Sequence, residues 1–329
     1  MKKLFYLLAV ILLVSCVDKG HEDDNQKPQP TNVIYYRSEG GEIIEPNNKK
    51  FGAGYIVSNT YEGGLGKITF SKDVTKIGDF AFCACQDLTR ISIPNTATLI
   101  DEYAFAACTS LLEVVIGSGV KDIGRYAFRD CYHLHKINIP ESVTSIKNYA
   151  FWNCSLSEIN LPSKLTSIGD EAFSGTPITS ITIPDSVVEI GNGVFCNCYD
   201  LSAFYGKFAS EDNRCLIVDG VLNSFAPKGL ASYTITDSVT KIGVRAFESC
   251  DKLESVTIPD GVIKIEMGAF YGCESLKTVY CKGTTPPFLD VDIFDDTPSL
   301  DAIYVPMNSV DAYKLAWSPY AELIVGYYL

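Results

Sequence analysis

Residues 128–151 read FRDCYHLHKINIPESVTSIKNYAF, a stretch that opens and closes on phenylalanine and recurs along the chain. Phenylalanines in the same setting are Phe82, Phe105, Phe128, Phe151, Phe173, Phe195, Phe247, Phe270 and Phe294, spaced 23, 23, 23, 22, 22, 52, 23 and 24 residues apart. The shared pattern is Ile-Gly-x-x-Ala-Phe-x-x-Cys-x-x-Leu-x-x-Ile-x-Ile-Pro-x-x-Val-x-x-Ile, seen from Ile77-Gly78 to Ile100 and again from Ile242-Gly243 to Ile265. Such a period predicts an array in which each unit covers its apolar face on the next, so the 329 residues need not divide into ordinary domains.

Within a unit, Ile137 and Ile139 alternate with Lys136 and Asn138, which places the isoleucines on the interior face of a strand and the polar pair outside. Proline closes that strand at Pro94, Pro140, Pro162, Pro184, Pro259 and Pro306, where a residue without an N–H ends the ladder at one level in every coil. Glycine follows the second isoleucine at 78, 124, 169, 191 and 243, but Asp101, Lys147 and Glu266 hold the same slot, so a positive φ is not required there. Coils stacked at about 4.8 Å would share a parallel sheet and cover one another's interior.

These residues resemble the BspA-like leucine-rich repeat family of bacterial surface proteins, over about residues 67–306. The resemblance implies a mainly β, right-handed leucine-rich-repeat solenoid, a horseshoe with a parallel sheet on its concave face, short turns and 3-10 segments elsewhere, and caps at both ends. Two units depart from the pattern. Gly175-Thr176 replaces the cysteine mark in one, and the 52-residue gap holds an irregular repeat at about 201–236, with an inserted hairpin turning at Asp219-Gly220. Residues 32–66 lack the phenylalanine mark and alternate around Gly40-Gly41, which predicts a hairpin in an N-terminal β cap. Residues 307–329 predict a C-terminal cap, with Asn308 or Ser309 capping a short helix through Tyr313 and Trp317.

Residues 1–15 have the form of a signal peptide: Lys2 and Lys3, then an apolar run of eleven residues from Leu4 to Val14, too short to span a bilayer. Leu13-Val14-Ser15-Cys16 resembles the lipobox of bacterial lipoproteins, which implies lipid attachment at Cys16, with 16–31 as a polar tether. The expected address is an outer membrane lipoprotein exposed at the cell surface, with a periplasm-facing orientation as the alternative. The membrane would be met through the lipid alone. A net charge of −13, or −15 once Lys2 and Lys3 leave, argues against nucleic acid or an anionic lipid surface as partner.

Twelve cysteines raise the prospects of disulfides and of metal. Removing Cys16 leaves an odd number, and Cys85, Cys108, Cys131, Cys154, Cys198, Cys250 and Cys273 fill one repeat slot, which predicts a stacked interior column of small side chains. Cys83 and Cys196 lie five coils apart, about 24 Å, too far to pair. The redox state of Cys83, Cys196, Cys215 and Cys281 stays open. Three histidines and isolated Cys-x-Cys pairs do not supply four zinc ligands, and Asp290, Asp292, Asp295 and Asp296 lack the spacing of a calcium loop. No catalytic motif is present, so the expectation is a non-enzyme without cofactor or metal.

Recognition then falls to outward strand positions. Arg90, Glu113, Lys136 and Glu158 alternate in sign and predict an ion-pair ladder. The next outward row offers Asn138, Asn160, Tyr205, Tyr280 and Tyr304 as candidate ligand-binding residues. The expected function is adhesion or protein–protein interaction through the concave face of a monomer, with glycan capture for polysaccharide uptake as the alternative; the partner is a protein or glycan macromolecule on host or neighbouring cells.

Overall fold

A computed structural model describes residues 30–328, and the expected signal peptide, Cys16 and nearly all of the tether lie outside them. The described residues form a β-solenoid whose coils carry two extended segments each. The first segment is the Ile-x-Ile strand, as in Leu88–Ser92, Glu113–Val115 and Lys136–Asn138, which pair in parallel one coil apart. The second, read as turn from the sequence, is a two-residue strand ending on the last isoleucine of the pattern. Lys76–Ile77, Leu99–Ile100, Asp122–Ile123, Ser145–Ile146, Ser167–Ile168 and Glu189–Ile190 make a six-stranded parallel sheet of their own. The expected single row of strands is therefore two, because the Val-x-x-Ile stretch is extended long enough for its isoleucines to align in register; interruptions divide the long-strand row among three sheets and the short-strand row between two. Among the described residues 3-10 geometry appears only in the C-terminal cap, at Met307–Ser309 and Ser318–Leu323, and not between the strands of the repeats.

Proline follows the end of the first strand as expected at Pro94, Pro140, Pro184 and Pro259, whereas no strand precedes Pro162 and Pro306 lies within a strand, paired with Tyr327. Proline also starts the turn that follows, since its carbonyl accepts the N–H three residues on: Ala97 to Pro94, Val143 to Pro140 and Val187 to Pro184 at 3.0 to 3.1 Å. The Ala-Phe-x-x-Cys arc forms a third coil-to-coil ladder. In the coil of Phe105, the N–H groups of Tyr103, Phe105 and Ala107 donate to Arg125, Ala127 and Arg129 of the next coil, while those of Ala104, Ala106 and Cys108 donate three residues back within the coil. That alternation needs a left-handed residue two places before and two places after each phenylalanine. Tyr103 (φ 53°), Ala107 (φ 57°), Tyr126 (φ 57°) and Asp130 (φ 58°) hold these places. Asn, Asp and Gly, which suffer least there, recur at the second position, as in Asn153, Gly175, Asn197 and Asp296.

Inside, Phe82, Phe105, Phe128, Phe151, Phe173 and Phe195 stack with ring centroids 5.1 to 5.6 Å apart and nearly parallel planes. Each cysteine of the column sits beside this stack, buried except for Cys85. Packing is not its only contribution: the thiols of Cys108, Cys131, Cys154, Cys198 and Cys273 donate to the carbonyls of Phe82, Phe105, Phe128, Phe173 and Phe247 at 2.9 to 3.3 Å. Where Thr176 replaces cysteine, its hydroxyl donates to the Phe173 carbonyl of its own coil at 2.7 Å.

The array is interrupted twice. Cys154 and Leu156 are one residue closer than Cys131 and Leu134, and no strand forms over 155–162. The irregular repeat carries the expected hairpin, Cys215–Val218 against Val221–Phe225, turning at Asp219 (φ 49°) and Gly220 (φ 77°). Its second arm begins a separate short-strand sheet, pairing Val221 and Leu222 with Lys241 and Ile242, which continues to Lys264–Ile265 and Phe288–Leu289. Phe225 contacts Phe247 at 4.6 Å, and Phe247, Phe270 and Phe294 resume the stack at 4.9 and 5.4 Å. The buried core divides here into two clusters.

The N-terminal cap is built differently from the expectation. β1 (Val33–Ser38) is followed by an irregular segment, so Gly40-Gly41 is a turn without a second strand. The hairpin is β2 (Ile56–Glu62) with β3 (Leu65–Phe70), turning at Gly63 (φ 59°) and Gly64 (φ 81°), the two left-handed residues that such a turn requires. β1 lies between β3 and Leu88–Ser92, antiparallel to both, and Phe51 covers Phe82 at 5.8 Å. At the other end, helix α1 (Val310–Ala316) has Ser309 at its N-cap position without a side-chain capping bond. Tyr313 and Trp317 are buried and donate to the Gly283 and Pro287 carbonyls. The cap then adds an unforeseen strand, Ile324–Tyr327, parallel to Ala302–Pro306.

Candidate functional site

On the outer face of the first long-strand sheet, Glu113 stands between Arg90 (3.4 Å) and Lys136 (2.9 Å), and its side chain is only 19% exposed. The expected ladder thus has three members. Glu158, expected as the fourth, sits in the stretch without a strand and makes no ion pair among the described residues. Asn138 is exposed, but its amide is engaged with the neighbouring coil: its oxygen accepts the Ile116 N–H at 2.9 Å and its nitrogen donates to the Ile116 carbonyl at 3.2 Å. Asn160 lies in the same gap as Glu158, exposed and away from any sheet row. The charges on these first coils are therefore occupied by one another, and the Asn138 amide by the Ile116 backbone.

The C-terminal half differs in chemistry. Register places Thr234, Thr257, Tyr280 and Tyr304 in one outward row, with Val325 beyond, and Ser232, Ser255, Thr278 and Ala302 in the row beside it. Neither row carries a charge. Tyr280 and Tyr304 stack at 4.8 Å with planes 13° apart, and Tyr327 meets Tyr280 edge-on at 6.3 Å. Two of the three candidate tyrosines are thus brought together. Tyr205, 46% exposed, belongs to a separate two-stranded sheet where it pairs with Thr182. Stacking covers one face of Tyr280 and one of Tyr304, so a partner approaching the sheet meets ring edges and hydroxyls.

A second aromatic surface runs along the turn edge of the first coils. Phe80, Tyr103, Tyr126 and Tyr149, all at the left-handed position two residues before the phenylalanine marks, stack at 4.8, 4.6 and 4.8 Å. The Arg125 and Arg129 guanidinium groups lie over Tyr126 at 4.8 and 5.4 Å, and Arg129 also covers Trp152 at 4.7 Å. The column ends in charge. Tyr149 donates to Glu171 (3.4 Å), and Arg245 reaches Glu171 (3.2 Å) from beyond the irregular repeat. Gly193 holds the intervening slot, where a Cβ would lie within 3.6 Å of both side chains. Burial holds the Glu171 carboxyl above its ordinary value, against the pull of Arg245. Sequence reasoning passed over this column although its signal was present: aromatics at 80, 103, 126 and 149 keep the 23-residue period.

The remaining candidates do not assemble a reactive centre. Burial raises the Cys85 thiol to about 11, and Cys215 and Cys281 to about 12. Such thiols stay protonated at neutral pH and are poor nucleophiles. Among the described residues no group of three or more His, Cys, Asp or Glu side chains could hold a metal ion, and the described cysteines are unpaired. The acidic run has a backbone explanation, since Asp292 (φ 56°) and Asp296 (φ 53°) fill the two left-handed slots around Phe294. No described helix is long and apolar enough to cross a membrane.

Parallel sheets one coil apart around a phenylalanine stack define a solenoid of the leucine-rich repeat class. The family model described as BspA type leucine rich repeat region, in six copies, matches residues 56–175, 121–208 and 222–317. The chain belongs to this family. A leucine rich cell surface protein from Faecalibacterium prausnitzii is 27% identical over 82% of this chain and 86% of its own, with a TM-score of 0.53. A leucine-rich repeat protein from Eubacterium ventriosum is 21% identical over 74% of this chain and 73% of its own, with a TM-score of 0.56, and shares the fold. No curated protein matches it in sequence.

Proposed function

We propose that this protein is a monomeric, non-catalytic lipoprotein of the cell surface, anchored through Cys16, that binds a protein partner through the long-strand sheet of its C-terminal coils. The observation that carries the reading is the uncharged row Thr234, Thr257, Tyr280 and Tyr304, with two tyrosines already ordered by stacking. Ordering rings before contact lowers the entropy cost of using them, and tyrosine is among the residues that dominate interface energetics. The Faecalibacterium prausnitzii relative, described as a cell surface protein, supports the location. The glycan alternative is less favoured by the geometry, because a sugar ring uses an open aromatic face and each of these tyrosines has one face covered by the other.

A soluble fragment of residues 32–329 tests the reading against matrix proteins, mucins, intact cells and a glycan array. Binding to a protein ligand, weakened ten-fold or more by Tyr280→Ala, is expected. Binding to glycans alone, or no binding to any of the panel, would remove it.

A further inference from the structure

Tyr103, Tyr126 and Tyr149 stand one coil apart with ring centroids 4.6 and 4.8 Å apart and planes 24° and 11° from parallel. Tyr280 and Tyr304 repeat the arrangement at 4.8 Å and 13°. All five are half-buried or exposed, unlike the buried phenylalanine stack, which has similar spacing but no phenol. Two phenols held in contact on a rigid scaffold need no diffusive encounter, which is the condition under which coupling outruns competing reactions.

We propose that these three pairs are modification sites at which oxidation joins neighbouring coils by dityrosine bonds, with hydrogen peroxide turned over by a haem peroxidase as the oxidant. Each phenol loses one electron and its hydroxyl proton. The two phenoxyl radicals carry spin density at the carbons ortho to oxygen, and these carbons pair to form one C–C bond. The hydrogen on each joined carbon then moves to oxygen and restores the phenol. Peroxide takes up the two electrons and two protons and leaves as two water molecules, so the protein loses two hydrogens per bond.

Local partners suit the step. The Tyr126 oxygen accepts from Arg125 at 3.3 Å, which leaves its own proton free to depart. The Tyr149 hydroxyl donates to the Glu171 carboxylate, which can take the proton as the electron leaves. Other tyrosines lack the arrangement. Tyr36 and Tyr61 are 5.9 Å apart and tilted by 50°, with Tyr36 buried, and the exposed Tyr199 and Tyr271 have no stacked tyrosine beside them among the described residues.

The test treats the full-length protein with a haem peroxidase and peroxide, digests it with trypsin and reads cross-linked peptides by mass spectrometry. Lysine and arginine separate all five tyrosines, on peptides 91–121, 126–129, 148–164, 278–282 and 283–314. The expected products join 91–121 to 126–129, 126–129 to 148–164, and 278–282 to 283–314, each two hydrogens lighter than its parts. A mixture of light and heavy-isotope protein should give no mixed pairs. Tyr126→Phe, which Phe80 shows the column to accommodate, should abolish the first two products and spare the third; Tyr280→Phe should do the reverse. Absence of these three products, mixed light and heavy pairs as the main outcome, or the same products from the phenylalanine variants would overturn the proposal.

Discussion

The coils of Phe82 to Phe195 and those of Phe247 to Phe294 bury the same ladder and wear different surfaces. Their phenylalanine rings stack at 5.1 to 5.6 Å in the first group and 4.9 to 5.4 Å in the second. Outside, the first group presents Arg90, Glu113 and Lys136 on its sheet and an aromatic column at its turns. The second presents hydroxyls and tyrosines on its sheet, and Arg245, Gly268 and Asp292 in the column's slots. Interior positions answer to the coil below and the coil above, so they repeat. Outward positions answer only to solvent, to the next coil's neighbour and to a partner, so they drift. The difference separates what makes the solenoid from what it can recognise.

The largest effect should come from breaking what the halves share. Phe128→Ala removes a fully buried ring from the middle of a stack and is expected to cost about 3–5 kcal/mol in urea unfolding. Phe270→Ala should cost a similar amount. Tyr126→Ala, in the outer column at the same level as Phe128, should cost about 1 kcal/mol. An equal cost for Tyr126 and Phe128 would mean that the outer column shares the work of the inner one.

A smaller effect is expected on the charged half of the sheet. Glu113→Gln removes the centre of the ion ladder and should cost about 0.5–1 kcal/mol at low salt and less at high salt, seen in the same denaturation measurement. A salt-independent loss would contradict the ladder.

The smallest effect concerns the junction of the two halves. Burial raises the Glu171 carboxyl above its unfolded value, so the folded state holds the proton more tightly. The contribution of this group to stability is therefore greatest at low pH and declines as pH rises from the ordinary glutamate value through the raised one. Glu171→Gln, neutral throughout, should lack that decline when denaturation midpoints are followed against pH. An unchanged slope would show that another group is responsible.

The fold was legible because its signals are periodic. The spacing of Phe128 and its equivalents, the Ile-x-Ile pair and the closing proline name the coil, the interior and the first strand; Asp219-Gly220 names the inserted hairpin. What escaped was set by geometry between coils. Two-residue strands such as Ser145–Ile146 are too short to show an alternation of their own. The left-handed slots are filled by residues as unlike as Tyr103 and Arg245, so no residue type marks them. The N-terminal hairpin was displaced from Gly40-Gly41 to Gly63-Gly64 because both pairs favour tight turns and only pairing with β1 decides between them. Of the candidate site, the register of Tyr280 and Tyr304 was readable from the repeat, whereas Tyr205 lies within the irregular unit on a sheet of its own with Thr182, and Asn138 was claimed by the Ile116 backbone.

The most direct measurement compares the two surfaces against one partner. The double variants Tyr280→Ala/Tyr304→Ala and Glu113→Gln/Lys136→Gln, checked to be folded, would be titrated with whichever protein ligand the soluble fragment captures. Loss of at least ten-fold in affinity in the tyrosine variant, with little change in the charge variant, is the expected result; the reverse order, or equal losses, would contradict recognition by the C-terminal half.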